Sequence, residues 1–309
     1  MGEITYITIK QKDGYITKLS QYYCSVTPKS SILILHGMAE HQKRYQSFAE
    51  FLVNQGFDVY CYDHRGHGTD KKLSDLGYFG PDNGYLLVVN DAITVSEHIA
   101  QHNRCNKLFL IGHSMGSLIS RNIIQSYDKY NGVILSGTAN PPYLLSVSGL
   151  FLSALISRFK GQKHVSPFLN SLLFGNNKYT SLCTRTAFDW LTRCNPIVGA
   201  YMNDPYCGFI CTSSFYHDLI KLTKHASEKK LIHRSRKDLP IYLLSGEKDP
   251  VGGYGREVQK YAATLKKCGF TNISMKLYVD FRHEILNEID KERVYTDILG
   301  WIHEIIDTK

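Results

Sequence analysis

The feature that most constrains the fold is an apolar run, Leu108–Ile111, that ends abruptly at Gly112-His113-Ser114-Met115-Gly116. Such a run is typical of a parallel strand buried on both faces, and apolar residues recur at helical spacing after the motif. Glycines on either side of a serine leave room for a sharp strand-to-helix turn, in which the serine is strained and exposed. We therefore interpret Ser114 as a nucleophile, the alternative being an ordinary turn rich in small residues.

Buried-type strands and helical patterns alternate along the first part of the chain and again along its last part. The predicted strands after an N-terminal hairpin are 32–35, 59–62, 108–111, 132–137, 241–245 and 273–279. The predicted helices between and after them are 44–55, 86–102, 256–268 and 294–306. This alternation predicts an α/β fold with a mostly parallel, doubly wound sheet and helices on both of its faces.

The alternation stops for about 100 residues in the middle of the chain. We expect a core formed by residues 1–137 and 238–309 and an inserted cap, or lid, formed by residues 138–237, since so long a connection needs structure of its own. Within it Leu144–Ile156 is apolar almost all round and too short to span a bilayer. It is therefore a packed cap helix, an interfacial helix or the wall of an acyl pocket.

The positive charge of the chain is concentrated in this middle stretch. Residues 141–238 hold 13 basic and 5 acidic residues, which accounts for the whole net charge of +8. A basic surface of this kind faces phosphate-bearing lipids or nucleic acid, or else serves only as a solvated face.

Cysteine and histidine usage argues against disulfide and metal sites. Eight cysteines are scattered without a Cys-x-x-Cys pair, and the first residues show no targeting pattern, so we expect reduced thiols in a cytoplasmic protein. His36, His64 and His67 lie in neighbouring predicted loops, but no pair among them has the i, i+4 spacing of helical zinc ligands. We predict no metal and no cofactor.

Two further residues complete a catalytic arrangement with Ser114. Asp249 and His283 each follow a predicted strand, and carboxyl ends of parallel strands share the ligand-binding edge of such a sheet. A serine hydroxyl needs a base, and an imidazole oriented by a buried carboxylate supplies one. We predict His283 as the base and Asp249 as its carboxylate, with Asp280 and Glu284 as rival acids that lie too close to His283 in sequence.

The chain resembles α/β-hydrolases of the monoacylglycerol lipase and lysophospholipase group along nearly its whole length. The matching motifs are His36–His41 with Arg44 and Tyr45, Asp63–Gly68, Gly112–Gly116, Asp204-Pro205, Asp249 and His283. The resemblance implies an α/β-hydrolase fold and hydrolysis of an acyl ester by Ser114, with the amides of Met38 and Met115 as the oxyanion hole. It also implies that Glu40 and Arg44 lie near the alcohol-binding end of the site.

The resemblance has two departures and two rivals. Met38-Ala39 replaces the usual small residue and glycine, and Ser117 replaces a third glycine, which concerns leaving-group selectivity. An aminopeptidase of the same fold would need acidic cap residues to bind an ammonium group, and a non-catalytic binding protein would need no triad. We expect a lipid or other acyl ester as substrate, peripheral contact of the lid with an anionic membrane, and no nucleic-acid partner.

Overall fold

An eight-stranded sheet organises the computed structural model, which describes residues 4–175 and 177–308. The strands are β1 (Ile4–Lys10), β2 (Ile16–Tyr22), β3 (Ser31–Leu35), β4 (Asp58–Tyr62), β5 (Leu108–His113), β6 (Gly132–Ser136), β7 (Ile241–Gly246) and β8 (Ile273–Tyr278). Their order across the sheet is β1-β2-β4-β3-β5-β6-β7-β8. β1 and β2 form an antiparallel hairpin at one edge, β2 pairs antiparallel with β4, and all other pairs are parallel. The predicted mostly parallel sheet is thus confirmed.

Eleven α-helices surround the sheet in the described part of the chain. They are α1 (Gln46–Asn54), α2 (Gly84–His102), α3 (Met115–Ile123), α4 (Tyr143–Lys160), α5 (Pro167–Phe174), α6 (Asn177–Thr180), α7 (Asn195–Asn203), α8 (Ser213–Ser227), α9 (Lys229–Ile232), α10 (Arg256–Lys267) and α11 (Lys291–Asp307). Short 3₁₀ helices cover Gln42–Tyr45, Leu73–Asp75 and Ile285–Asn287.

Alternate residues of the central strands pack into two separate cores. Leu33 and Leu110 pack with apolar residues of α2, α3 and α10 on one face. Ile34 and Ile111 pack with those of α1 and α11 on the other face. Since successive strand residues point to opposite faces, strands covered on both sides must be apolar throughout, which explains the continuous runs in the sequence.

Helices α4 to α9 lie between β6 and β7, where the sequence predicts the cap. α8 packs on α2 and α3 of the core, and α4 packs on α8. The contact of α4 uses small residues: Ser146 and Ser153 are buried, and the Ser153 hydroxyl lies 3.0 Å from Nδ1 of His217. A β-carbon added to Gly149 would lie 3.1 Å from the side chain of Ile220. Close packing of α4 on α8 therefore depends on small side chains.

Most large apolar residues of α4 point away from the protein, whereas Leu152 and Ile156 pack against the core. Leu144, Phe151 and Phe159 are 79%, 69% and 80% exposed. The helix also corrects one expectation from the sequence, because it extends beyond the apolar run to 18 residues and is long and apolar enough, by length and composition alone, to cross a membrane. At 1.5 Å per residue it is about 27 Å long.

The glycines of the Gly-x-Ser-x-Gly motif permit close contact of α3 with β3 and with β5. A β-carbon on Gly116 would lie 2.7 Å from the carbonyl oxygen of His36 and still closer to that of Leu35. A β-carbon on Gly112 would overlap the carbonyl oxygen of Gly116 and the Ser120 hydroxyl. Both obstacles at Gly116 are backbone atoms, so no side-chain rotation can remove them.

Replacement of Gly116 by alanine is expected to lower the free energy of unfolding by about 3 kcal/mol, the upper part of the range for overpacking. Denaturant titration measures this change. The matched control is Gly300→Ala in α11, where a β-carbon has open space and alanine should add about 0.5–1 kcal/mol through helix propensity. Equal stability of the Gly116→Ala protein and the wild type would contradict the proposed packing constraint.

Candidate active site

Ser114, Asp249 and His283 all lie at the carboxyl ends of the parallel strands. Ser114 directly follows β5, Asp249 follows β7 and His283 follows β8. These strands are parallel and lie in the order β5-β6-β7-β8, so their carboxyl ends face the same side. The sheet topology therefore brings to one edge three residues that are up to 169 positions apart in the sequence.

Ser114 is held in a strained turn. Its φ is +52°, in a region that L residues with a β-carbon rarely adopt. Its amide N–H donates to the carbonyl oxygen of Ser136 on β6 (2.9 Å), and its own carbonyl accepts from the amide of Ser117 (2.9 Å). The Ser117 hydroxyl donates to the same carbonyl (2.5 Å), so this departure from the family pattern closes the turn.

Asp249 is fully buried and bound to His283. Its Oδ1 lies 3.0 Å from Nδ1 of His283 and accepts the amide of Val251 (2.8 Å), while Oδ2 accepts the Ser245 hydroxyl (3.2 Å). Burial would raise the pKa of Asp249, but the attraction of His283 and these hydrogen bonds outweigh it and lower the pKa. Burial would lower the pKa of His283, but Asp249 outweighs it and raises the pKa.

The two rival carboxylates lie elsewhere. Asp280 is exposed in the turn after β8, with a φ of +61°. Glu284 points to Arg44, with which it forms two hydrogen bonds of 2.7 Å. Among the described residues, Asp249 is the carboxylate hydrogen-bonded to His283.

The imidazole of His283 is packed between two rings. Its centroid lies 4.6 Å from that of His113, the residue before Ser114, and 5.3 Å from that of Trp190 in the cap. A β-carbon on Gly137 would lie 2.9 Å from Cε1 of His283. His113, Gly137 and Trp190 were not singled out from the sequence, because their contact with His283 joins segments with no shared local pattern.

The two amides predicted for the oxyanion hole are both available. In the described part of the chain, neither the N–H of Met38 nor that of Met115 has a hydrogen-bond partner. Met115 is the first residue of α3, where helix geometry leaves amides unpaired and favours negative charge. A β-carbon on Gly37 would lie 3.3 Å from Cβ of Ser114, so the loop that carries Met38 passes directly beside the serine.

The loop of Met38 is held in shape through Ala39, whose φ is +51°. The Ala39 amide donates to Nε2 of His67 (3.1 Å). Its carbonyl accepts the Tyr201 hydroxyl (2.9 Å) and the Gly208 amide (2.9 Å), both from the cap. Core and cap thus bind the same residue, Ala39, beside the candidate oxyanion hole.

Two of the three loop histidines, His36 and His67, bind backbone amides through their rings, and His64 takes part through its own amide. Nε2 of His36 accepts a hydrogen bond from the amide of His64 (3.0 Å). In the same way, Nε2 of His67 accepts one from the amide of Ala39. Burial lowers the pKa of His36 to about 4 and that of His67 to about 3, and lowers that of His64 well below its ordinary value, so all three are neutral at pH 7.

Within residues 4–175 and 177–308, one other group of side chains has the composition of a metal site. The donor atoms of His41, Asp204 and Cys207 lie within 4.8 Å of one another. Nε2 of His41 is already bound to Asp204 (2.9 Å), and Arg44 shares the adjoining cavity of about 190 Å³. A guanidinium group in the same cavity disfavours a cation there.

Glu40 and Arg44, the residues expected near the alcohol-binding end, are bound to each other. Nη1 of Arg44 donates to Oε2 of Glu40 (2.5 Å), and both side chains are largely buried. Arg44 also forms part of the wall of the cavity just described, together with Tyr201 and Asn287. Contact of either residue with a substrate stays a prediction.

Comparison with known proteins agrees with the fold. The monoacylglycerol lipase of Mycolicibacterium smegmatis is 26% identical over 89% of this chain and 88% of its own. A probable lysophospholipase L2 of Haemophilus influenzae is 24% identical over 92% of this chain and 87% of its own. The crystal structure of a thermostable carboxyl esterase from Bacillus coagulans, in complex with glycerol, superposes with a TM-score of 0.90 at 25% identity over 99% of both chains.

The protein is an α/β-hydrolase, as its sheet and its structural neighbours together define. A family model described as Hydrolase_4, serine aminopeptidase S33, matches residues 26–290. The chain belongs to this family. The predicted resemblance to monoacylglycerol lipases and lysophospholipases is confirmed by its relatives.

Replacement of Asp249 by asparagine is expected to lower the pKa of His283, because the neutral amide of asparagine lacks the negative charge that stabilises the imidazolium. An NMR titration of the imidazole measures this pKa in the wild type and the variant. Asp280→Asn is the control, since its carboxylate lies on an exposed turn and should leave the pKa unchanged. A lowered pKa in Asp280→Asn alone would mean that Asp280 is the acid.

Proposed function

We propose that this protein is a serine hydrolase that cleaves carboxylic esters of acyl lipids, of the monoacylglycerol or lysophospholipid type, through an acyl-enzyme on Ser114. The observation that carries this proposal is the buried Asp249–His283 hydrogen bond at the sheet edge where Ser114 occupies a strained turn. Relatives named as monoacylglycerol lipase and lysophospholipase, similar over most of both chains, support the choice of acyl lipids.

In the proposed reaction, Oγ of Ser114 attacks the ester carbonyl carbon while its proton passes to Nε2 of His283. Nδ1 of His283 is bound to Asp249, which orients the ring and stabilises the imidazolium. The amides of Met38 and Met115 stabilise the oxyanion of the tetrahedral intermediate. His283 then gives its proton to the leaving alcohol, and water, deprotonated by the same base, hydrolyses the acyl-enzyme.

The aminopeptidase alternative has the description of the family model in its favour. An aminopeptidase needs a carboxylate free to bind the substrate ammonium group. Glu40 and Glu284 are both bound to Arg44, and in the cap Asp204 is bound to His41. These pairings favour an ester substrate without a positive charge.

Ser114→Ala is expected to abolish hydrolysis of p-nitrophenyl esters and monoacylglycerols while the protein stays folded, because the change removes only the attacking hydroxyl. Turnover and circular dichroism measure the two effects. A fluorophosphonate probe should label the wild type and fail to label the variant.

Three outcomes of the same assays would contradict the proposal. Undiminished ester hydrolysis by folded Ser114→Ala would exclude the nucleophile. A wild type that neither turns over esters nor reacts with the probe would favour a non-catalytic binding protein. Faster cleavage of aminoacyl arylamides than of any ester would favour the aminopeptidase.

We further propose that the cap docks on an anionic lipid surface. Besides the outward apolar residues of α4, Phe168 and Leu172 of α5 are exposed. Arg158, Lys160 and Lys163 follow the apolar stretch and are exposed as well. An apolar face with a basic flank gains free energy at an anionic interface both from burial of its side chains and from charge attraction.

The triple replacement of Arg158, Lys160 and Lys163 by glutamine is expected to weaken binding to phosphatidylserine-containing vesicles by about 100-fold, at about 1 kcal/mol for each basic residue near the surface. Vesicle sedimentation across a salt series measures the binding. Added salt should weaken binding of the wild type more than that of the variant.

The matched control replaces Lys260, Lys266 and Lys267 of α10 by glutamine, which removes the same charge from an exposed face of the core. This control should bind vesicles as the wild type does. If both triple variants lost vesicle binding equally, the effect would come from net charge and not from the position of the basic residues. Vesicle binding that did not depend on lipid charge or salt would contradict docking through the basic flank.

A further inference from the structure

We propose that Arg44 is a positioning residue: together with Glu40 and Glu284 it fixes the loop of the general base relative to the loop of the oxyanion hole. This inference rests on the proposed function, since it assigns roles around Ser114 and His283. It differs from the expectation that Arg44 and Glu40 act by contact with the alcohol part of the substrate.

Arg44 is shared between two buried carboxylates from distant parts of the chain. Its two terminal nitrogens donate to the two oxygens of Glu284, each at 2.7 Å, in the bidentate geometry that guanidinium groups favour. Nη1 also donates to Oε2 of Glu40 at 2.5 Å. Both carboxylate side chains are 4% exposed, so water screens these ion pairs weakly.

On the Glu40 side, the cluster reaches the backbone of the candidate oxyanion hole. Oε1 of Glu40 accepts the amide of Gly37 (2.5 Å) and the hydroxyl of Tyr45 (2.8 Å). Gly37 directly precedes Met38, whose amide is proposed to bind the oxyanion. With its Gly37 neighbour held by Glu40, the Met38 amide has a fixed backbone geometry.

On the Glu284 side, the cluster reaches the candidate base, because Glu284 directly follows His283. The Glu284 amide donates to the carbonyl of Leu191 in the cap (2.7 Å), and Oε2 accepts the side-chain amide of Asn287 (3.1 Å). Asp249 orients the ring of His283 through a hydrogen bond, whereas the Arg44–Glu284 pair fixes the backbone that carries this ring.

The cap completes the arrangement through Tyr201. The Arg44 guanidinium lies over the Tyr201 ring, 4.8 Å from its centroid, and the Tyr201 hydroxyl donates to the carbonyl of Ala39 (2.9 Å). Arg44 therefore contacts residues from the oxyanion loop, the base loop and the cap at once, and the Glu40 carboxylate has both oxygens occupied by protein donors.

The cluster also affects the charge of the base. Burial lowers the pKa of His283, and three carboxylates raise it: Asp249, Glu284 and Glu40. A neutral base accepts the serine proton, so activity falls as the pH falls through the pKa of His283. Loss of the Glu284 charge should therefore move the acid limb of kcat/KM to lower pH.

The test uses two conservative variants of the full chain, Glu284→Gln and Arg44→Lys. Gln keeps the size of Glu, and Lys keeps a positive charge beside the buried carboxylates but cannot form the bidentate pair. With a soluble p-nitrophenyl ester we expect kcat to fall by about 10²-fold in each, the effect of misplacing reacting groups by about 1 Å, with KM little changed. Fluorophosphonate inactivation should slow by the same factor.

A double variant and a remote control sharpen the test. If the two residues act as one pair, the double variant should lose no more kcat than the worse single variant. The control is Arg104→Lys, which removes a bidentate pair with the buried Asp58. Asp58 is the first residue of β4, so this pair lies at the end of the strands opposite to the candidate site. This change should lower the melting temperature and leave kcat unchanged.

The outcomes separate the inference from the proposed function. A raised KM with an unchanged kcat would overturn the positioning role in favour of substrate contact. An equal fall of kcat in Arg104→Lys would overturn it in favour of general destabilisation. Full kcat together with an unmoved acid limb in Glu284→Gln would overturn it as well, because Glu284 would then have no effect on the base. A wild type inactive on every ester would contradict the proposed function itself and remove the reaction that Arg44 serves.

Discussion

The close approach of α3 to β3 is the constraint on which the site depends. Gly116 lies against the carbonyl oxygens of Leu35 and His36, and this contact leaves no space for a β-carbon. It places the start of α3, with the free amide of Met115, beside the loop that carries Met38. Strain at Ser114 is tolerated because two buried strands and a buried helix surround the turn.

Around this rigid elbow, the cap has two different surfaces. Its inner segments contact the catalytic loops: Trp190 packs on His283, and Tyr201 and Gly208 bind the carbonyl of Ala39. Its outer helix α4 presents most of its large apolar residues to the outside and packs through small residues together with Leu152 and Ile156. A lipid surface that contacts α4 would thus cover apolar side chains that the protein itself leaves exposed, as the proposed docking requires.

The buried charged residues near the candidate site form one connected cluster. Arg44 lies between Glu40 and Glu284, and this cluster adds negative charge near His283, where an imidazolium forms in the proposed reaction. The loop histidines have the opposite character, because burial keeps His36 and His67 neutral and leaves their ring nitrogens as acceptors for backbone amides. The charged cluster thus joins two loops near the point where a charge develops, whereas the neutral histidines hold loops through hydrogen bonds to backbone amides.

The sequence by itself determined the parallel sheet, the elbow and the strand ends that carry Asp249 and His283, because hydrophobic periodicity and turn glycines are local signals. Only the tertiary structure decided what those residues contact. The sequence favoured Asp249 over Asp280 by its place after a strand, but the hydrogen bond of Asp249 to His283 is a property of the tertiary structure. The contact of Trp190 with His283 and the binding of Arg44 to Glu284, 240 positions further along the chain, join segments that no local pattern relates. The sequence also did not predict which face of α4 is exposed, because a helix that is apolar almost all round can pack through any of its sides. The small residues that fit against α8 decided which side packs.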